Sequence, residues 1–188
     1  MNAQIHFLIL LILTLFACQP VTDRSQEKLP AQVGKTTPEQ KLEQLGIELP
    51  EVSPPVANYV NAVQTGNLMF LAGKGPKKAD GTYIKGKLGV DLTEKEGYEA
   101  ARIVAINQLA VLKTEVGDLS KVKRIVKVLG MVNAASDFEN HPEVINGFSD
   151  LMVDVFGDAG KHARAAVGMG SLPRNIAVEI EIIVEVEE

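Results

Sequence analysis

Few side chains in this sequence have a type and spacing that could do chemistry. The three histidines, His6, His141 and His162, lie far apart, and cysteine occurs once, as Cys18. Neither set makes a metal-ligand pattern or an internal disulfide framework. No G-x-G-x-x-G or P-loop run offers a row of backbone amides to a phosphate. What remains lies near the C-terminus, in HARAAVGMGSLPRNIAVEIEIIVEV, where Arg164 sits among alanines and Glu179 and Glu181 alternate with apolar residues. The wider composition narrows the partners. With 19 Lys+Arg against 24 Asp+Glu, a net charge of −5, no Trp and 5% aromatics, the chain has neither the basic field nor the stacking platform that nucleic acids require. No nucleic-acid partner, metal or cofactor is expected.

The elements that must position these residues follow from periodicity. Asn58–Gln64 and Leu68–Gly73 read as two strands joined by a tight turn at Thr65-Gly66-Asn67. TYIKGKLG after Asp80-Gly81 reads as a third, irregular strand. Thr93 to Glu96 is a capping box, and Tyr98, Ala101, Ala105, Leu109, Leu112 and Val116 form one apolar stripe, so a helix is predicted over about 94–116, stopped by Gly117. The β-branched run Val122–Asn133 reads as a central strand, and a second helix is predicted from about Pro142 to Phe156. In the last strand Ile176, Val178, Ile180, Ile182, Val184 and Val186 share one face and the glutamates share the other. ARAAVGM, joined to it through Leu172-Pro173, is expected to be its hairpin partner. The order β-β-β-α-β-α-β-β gives an α+β domain with one six-stranded mixed sheet and two helices on one face. The other face, carrying Glu179 and Glu181, is left uncovered, and an oligomer is its natural cover.

The N-terminus is of another kind. Phe7 to Ala17 is an apolar run of about 11 residues, well short of the ~20 that span a bilayer as a helix. Leu15-Phe16-Ala17-Cys18 resembles a bacterial lipobox, whose cysteine is acylated after cleavage. Residues 1–18 are thus expected to be a signal peptide, with Cys18 lipidated and the protein held at the cell envelope by a lipid anchor alone. Plain signal cleavage and secretion is the alternative. Residues 19–41 are polar and Pro-containing and read as a flexible linker, leaving 42–188 as the globular domain.

Four stretches carry a family resemblance: NYVNAVQTGNLMFLAG, the AINQLA of the first helix, FENHPEVINGFSDLMVDVFG, and HARAAVGMGSLPRNIAVEIEIIVEV. Together they resemble the RidA (YjgF, L-PSP) family, nearest to one of its less studied branches. The resemblance implies a chorismate-mutase-like fold, a homotrimer with ligand clefts between subunits, and hydrolysis of reactive enamine and imine acids to 2-keto acids and ammonia without a cofactor. By the same resemblance, Arg164 grips the substrate carboxylate, which a planar guanidinium does through two parallel charge-assisted bonds. Glu179 would hold the hydrolytic water and pass its proton, and Tyr59 would reach the cleft from the adjacent subunit. Gly73 lies where backbone approaches ligand, and Asn146 is a helix asparagine of the binding region with a mainly structural part. His162, two residues before Arg164, reads as a lone exposed histidine, with a place on the cleft rim as the alternative. Many deaminase members carry Cys, Ser or Thr two residues after the arginine. Here that residue is Ala166, so no hydroxyl or thiol from that position orients substrate or water.

Three functions therefore compete. The first is a hydrolytic deaminase of small imine or enamine acids. The second is a non-catalytic envelope protein that binds small carboxylic or keto acids through the same arginine. The third, the family's historical endoribonuclease label, is disfavoured by the acidic composition.

Overall fold

The computed structural model of the chain describes residues 36–187, and Cys18 with the apolar run before it lies outside them. The first element, α1 (Pro38–Gln44), lies across the expected boundary between linker and domain. Thr37 and Gln40 cap it reciprocally, and Glu39 ties it down by accepting from Lys113 Nζ at 2.6 Å and from the Leu119 amide at 2.8 Å. Burial pushes the Glu39 carboxyl upward, but these two donors outweigh it and hold the group below the usual carboxylate range.

The remaining elements are β1 (Ala62–Thr65), β2 (Leu68–Lys74), α2 (Glu94–Val116), β3 (Val122–Asn133), α3 (His141–Phe156), β4 (Ala163–Met169) and β5 (Val178–Val186). Both long helices fall where the apolar periodicity puts them. Thr93 and Glu96 form the expected capping box, and Gly117 ends α2 in a positive-φ conformation. The sheet order is β1-β2-β5-β3-β4, with β3 and β4 parallel and the other neighbours antiparallel.

Three expectations change. The sheet has five strands among the described residues, not six. The TYIKGKLG stretch forms only isolated bridges, Lys77 to Tyr83, Lys85 to Ile176 and Leu88 to Ala134, because Gly86 and Gly89 take positive φ of 127° and 84° that interrupt an extended run. Among the described residues three α-helices rather than two accompany the sheet. Finally, β4 and β5 are not a hairpin. A short 3-10 turn at Pro173–Asn175, with Arg174 and Asn175 both left-handed, carries the chain past β3, so that β5 inserts between β2 and β3 and β4 is left as an edge strand.

The core lies between the sheet and α2 and α3. Val178, Ile180, Ile182 and Val184 of β5 are at most 2% exposed and pack with Val128 and Val132 of β3, Leu109 and Leu112 of α2, and Phe148 and Leu151 of α3. The alternate residues Glu179, Glu181, Ile183 and Glu185 face the other way, where no described element covers them. Phe70, 42% exposed, stands on that open face opposite Ile183.

Candidate functional site

Arg164 is held from α3. Asn146 and Ser149 are three residues apart and so share one face of that helix. Arg164 Nη1 donates to Asn146 Oδ1 at 2.8 Å and to Ser149 Oγ at 3.0 Å. His162, two residues earlier and therefore on the same side of the chain, places Nε2 3.1 Å from Ser149 Oγ and Nδ1 2.7 Å from the Gly160 carbonyl. A carbonyl oxygen only accepts, so Nδ1 carries the hydrogen, and in the neutral ring Nε2 accepts from the Ser149 hydroxyl. Burial is the main cause that pushes the imidazole below its usual pKa. The Arg164 charge adds to it and the Gly160 bond opposes it, so the neutral form prevails at pH 7.

This network leaves the guanidinium with a defined free edge. Both hydrogens of Nη1 are used, while among the described residues nothing accepts from Nε or Nη2 and no carboxylate pairs with the group. The Nε–Nη2 edge is the side-on fork that binds a carboxylate through two parallel bonds. A fork fixed in advance loses less freedom when its ligand arrives.

The second group of expected residues sits elsewhere. Glu179 lies on β5 opposite Met131 of β3, on the open face. It is half-buried, and burial first, then the neighbouring Glu181 charge, push its carboxyl above the usual range. Gly73 adjoins it: a Cβ on Gly73 would stand 2.5 Å from Glu179 Oε1, so the missing side chain is what admits the carboxylate. A register shift between Leu71 and Lys74 marks a bulge at this point of β2. Gln108 of α2 braces it, donating Nε2 to Ala72 O at 3.0 Å and to Ile180 O at 2.8 Å.

Arg164 and Glu179 of one chain do not share a site. Arg164 pairs in register with Val128, which is wholly buried on the helix side, whereas Glu179 pairs with Met131 on the opposite face. Tyr59 also lies away from Arg164. It is 49% exposed and precedes β1, at the sheet edge opposite β4. The structure thus joins Arg164 with Asn146, and Gly73 with Glu179, and places Tyr59 at the other edge of the sheet from Arg164. The reading of His162 as a lone exposed residue is corrected, since it is half-buried and bonded at both nitrogens. Ser149 was missed. Ala166 packs against the core, and the Ser149 hydroxyl from α3 bonds Arg164, a contact that only the helix-to-strand packing reveals.

An α+β architecture with a mixed sheet, helices on one face and an arginine on the penultimate strand defines a chorismate-mutase-like class. Residues 39–186 match the model of the YjgF/chorismate mutase-like family, whose description carries an endoribonuclease label. Protein TCP17 of Trypanosoma cruzi is 42% identical over 145 residues, covering 77% of this chain and 91% of that protein. A 2-iminobutanoate/2-iminopropanoate deaminase of Dermatophagoides farinae is 29% identical over 142 residues, covering 75% and 95%. Among solved structures, a protein of unknown function from Agrobacterium tumefaciens superposes with a TM-score of 0.74 at 41% identity, covering 80% of this chain and 94% of that one. The chain belongs to the YjgF/RidA/L-PSP family.

Proposed function

We propose that the protein is a hydrolytic deaminase of small reactive enamine and imine acids. The observation that carries this reading is the Arg164 fork, immobilised through Nη1 and open at Nε and Nη2. The reaction is R–C(=NH)–COO⁻ + H2O → R–CO–COO⁻ + NH3. Arg164 holds the carboxylate, water adds to the imine carbon, and the carbon–nitrogen bond breaks as the nitrogen takes up a proton. Burial and the Glu181 charge raise the proton affinity of Glu179, which suits a group that both gives and takes a proton. Because Glu179 and Arg164 of one chain face opposite ways, the Glu179 and Tyr59 that serve a given Arg164 come from a second copy. A homotrimer with clefts between subunits is the assembly proposed, supported by the uncovered sheet face and its exposed Phe70. The deaminase name of the mite relative agrees with the chemistry. In the same reading Cys18 anchors the domain at the cell envelope through lipid.

The test is ammonia release from freshly generated 2-iminopropionate. Turnover by the wild-type chain that falls about a hundredfold in Arg164→Ala, with folding intact, supports the proposal. An Arg164→Ala rate equal to wild type overturns it. A second reading, a binding protein for small carboxylic acids without turnover, draws on the separation of Arg164 from Glu179 within one chain. Melting shifts with pyruvate in the absence of any ammonia release would favour it.

A further inference from the structure

A cleft of about 460 Å3 lies at the β2 end of the molecule, well away from Arg164. Strands β5 and β3 stand between β2 and the β4 edge that carries the arginine. The cleft opens between the segment 50–54, the turn of residues 75–83 and the middle of α2. Its volume falls within the range of small-molecule sites, about 300–1,000 Å3. The shape is held in advance, because Asn107 of α2 donates Nδ2 to the Gly75 carbonyl at 3.2 Å and to the Lys77 carbonyl at 3.1 Å, fastening the turn to the helix.

Its lining combines ammonium groups with an apolar wall. Lys74, Lys77 and Lys78 all line it, against one carboxylate, Glu51, and none of the three lysines forms an ion pair among the described residues. Asp80 lies near enough to Lys78 to feel its charge. Lys74 and Lys77 are paired only with neutral oxygens: Lys74 Nζ donates to Asn61 Oδ1 at 2.6 Å and Lys77 Nζ to Ser53 Oγ at 2.7 Å. Lys74 is half-buried, and burial depresses its pKa, the mark of a charge that has lost water without gaining an anion. Opposite lie Val52 and the α2 residues Ala110 and Val111.

We propose that this cleft is a second binding site, taking a small organic acid whose carboxylate meets the Lys74 and Lys77 ammonium groups and whose short apolar body lies against Val52, Ala110 and Val111. A bare inorganic anion would satisfy the lysines but leave the partly exposed Val52 side of the cleft without a partner. An uncharged ligand would leave Lys74 without its counter-charge.

The test is calorimetric titration of the full chain carrying Arg164→Ala, which silences the other carboxylate site, with 4-methylpentanoate, 4-methylpentanamide and inorganic phosphate as probes. The expected result is one carboxylate bound per chain, with the amide and phosphate much weaker. Adding Lys74→Met should weaken carboxylate binding about ten- to hundredfold. Adding Ser53→Trp, at the exposed mouth, should weaken it by occlusion and keeps the test decisive if Lys74→Met does not fold. The proposal is overturned if the Arg164→Ala chain binds no carboxylate, if amide or phosphate binds as tightly, or if neither added substitution changes the affinity. None of these outcomes depends on whether the protein releases ammonia.

Discussion

The Arg164 corner and the Glu179 strip sit on the same sheet and solve opposite electrostatic problems. At the corner a charge that needs a fixed direction is surrounded by neutral acceptors, Asn146 Oδ1 and Ser149 Oγ, which orient it without neutralising it. On the open face a carboxylate is half-buried beside another carboxylate, with no cation paired to it among the described residues, and its proton affinity rises. The corner presents a fixed cation without a paired carboxylate among the described residues. On the strip, burial and the neighbouring carboxylate raise the proton affinity of Glu179. One sheet thereby prepares both a permanent cation and a titratable acid, the two kinds of group that hydrolysis of an imine acid would use.

Substitutions can break this contrast at either end. The largest effect is expected for Arg164→Ala, about a hundredfold in kcat/KM for 2-iminopropionate. Arg164→Lys should recover little of it, since an ammonium cannot be held by two acceptors and still offer a side-on fork. Next is Gln108→Leu, which removes the donor bonded to two carbonyls beside the β2 bulge. A loss of about 2–3 kcal/mol in denaturant unfolding is expected, and an unchanged midpoint would show that the bulge needs no brace. Ser149→Ala leaves Arg164 tied to Asn146 alone and frees His162 Nε2. It should raise KM about tenfold with a smaller change in kcat, because it loosens the grip on the carboxylate and leaves the reacting carbon untouched. Equal losses in both parameters would instead place the serine in the chemical step.

The smallest effect sharpens the comparison from the other side. The folded-state pKa of Glu179 is raised, so its contribution to stability is fully present below the unfolded value and is lost as pH rises through the folded one. Glu179→Gln, which cannot ionise, should therefore melt slightly above wild type at neutral pH and lose that advantage below the ordinary glutamate value of 4.5. Thermal melts across that range check the sign. A variant less stable than wild type at pH 7 would mean that the carboxylate has a favourable partner in the assembled protein.

Residue spacing alone located much of this molecule. The capping box at Thr93, the stripe along α2 and the alternation of β5 are local signals, since capping geometry and the 3.6 and 2.0 periods are properties of neighbouring residues. The same alternation separated Glu179 from the core before any sheet order was known. Sequence also marked Arg164 through the motif around it. It did not place α1 in the domain, because the ties of Glu39 to Lys113 and the Leu119 amide join residues 74 and 80 positions apart. Nor did it reveal that β5 lies between β2 and β3. Parallel pairing of β3 with β4 and insertion of β5 are choices among strands of nearly equal apolar character, decided by the left-handed turn at Arg174 and Asn175 and by which arrangement buries the helices. The sequence by itself thus determined the two long helices, α2 and α3, the β3 and β5 strands and the face that β5 shows to the core. Only the tertiary structure decided that Arg164 is held by Asn146 and Ser149, that His162 is tied into the same network, and that Glu179 points the other way. Those facts depend on contacts between elements distant along the chain, which no local period encodes.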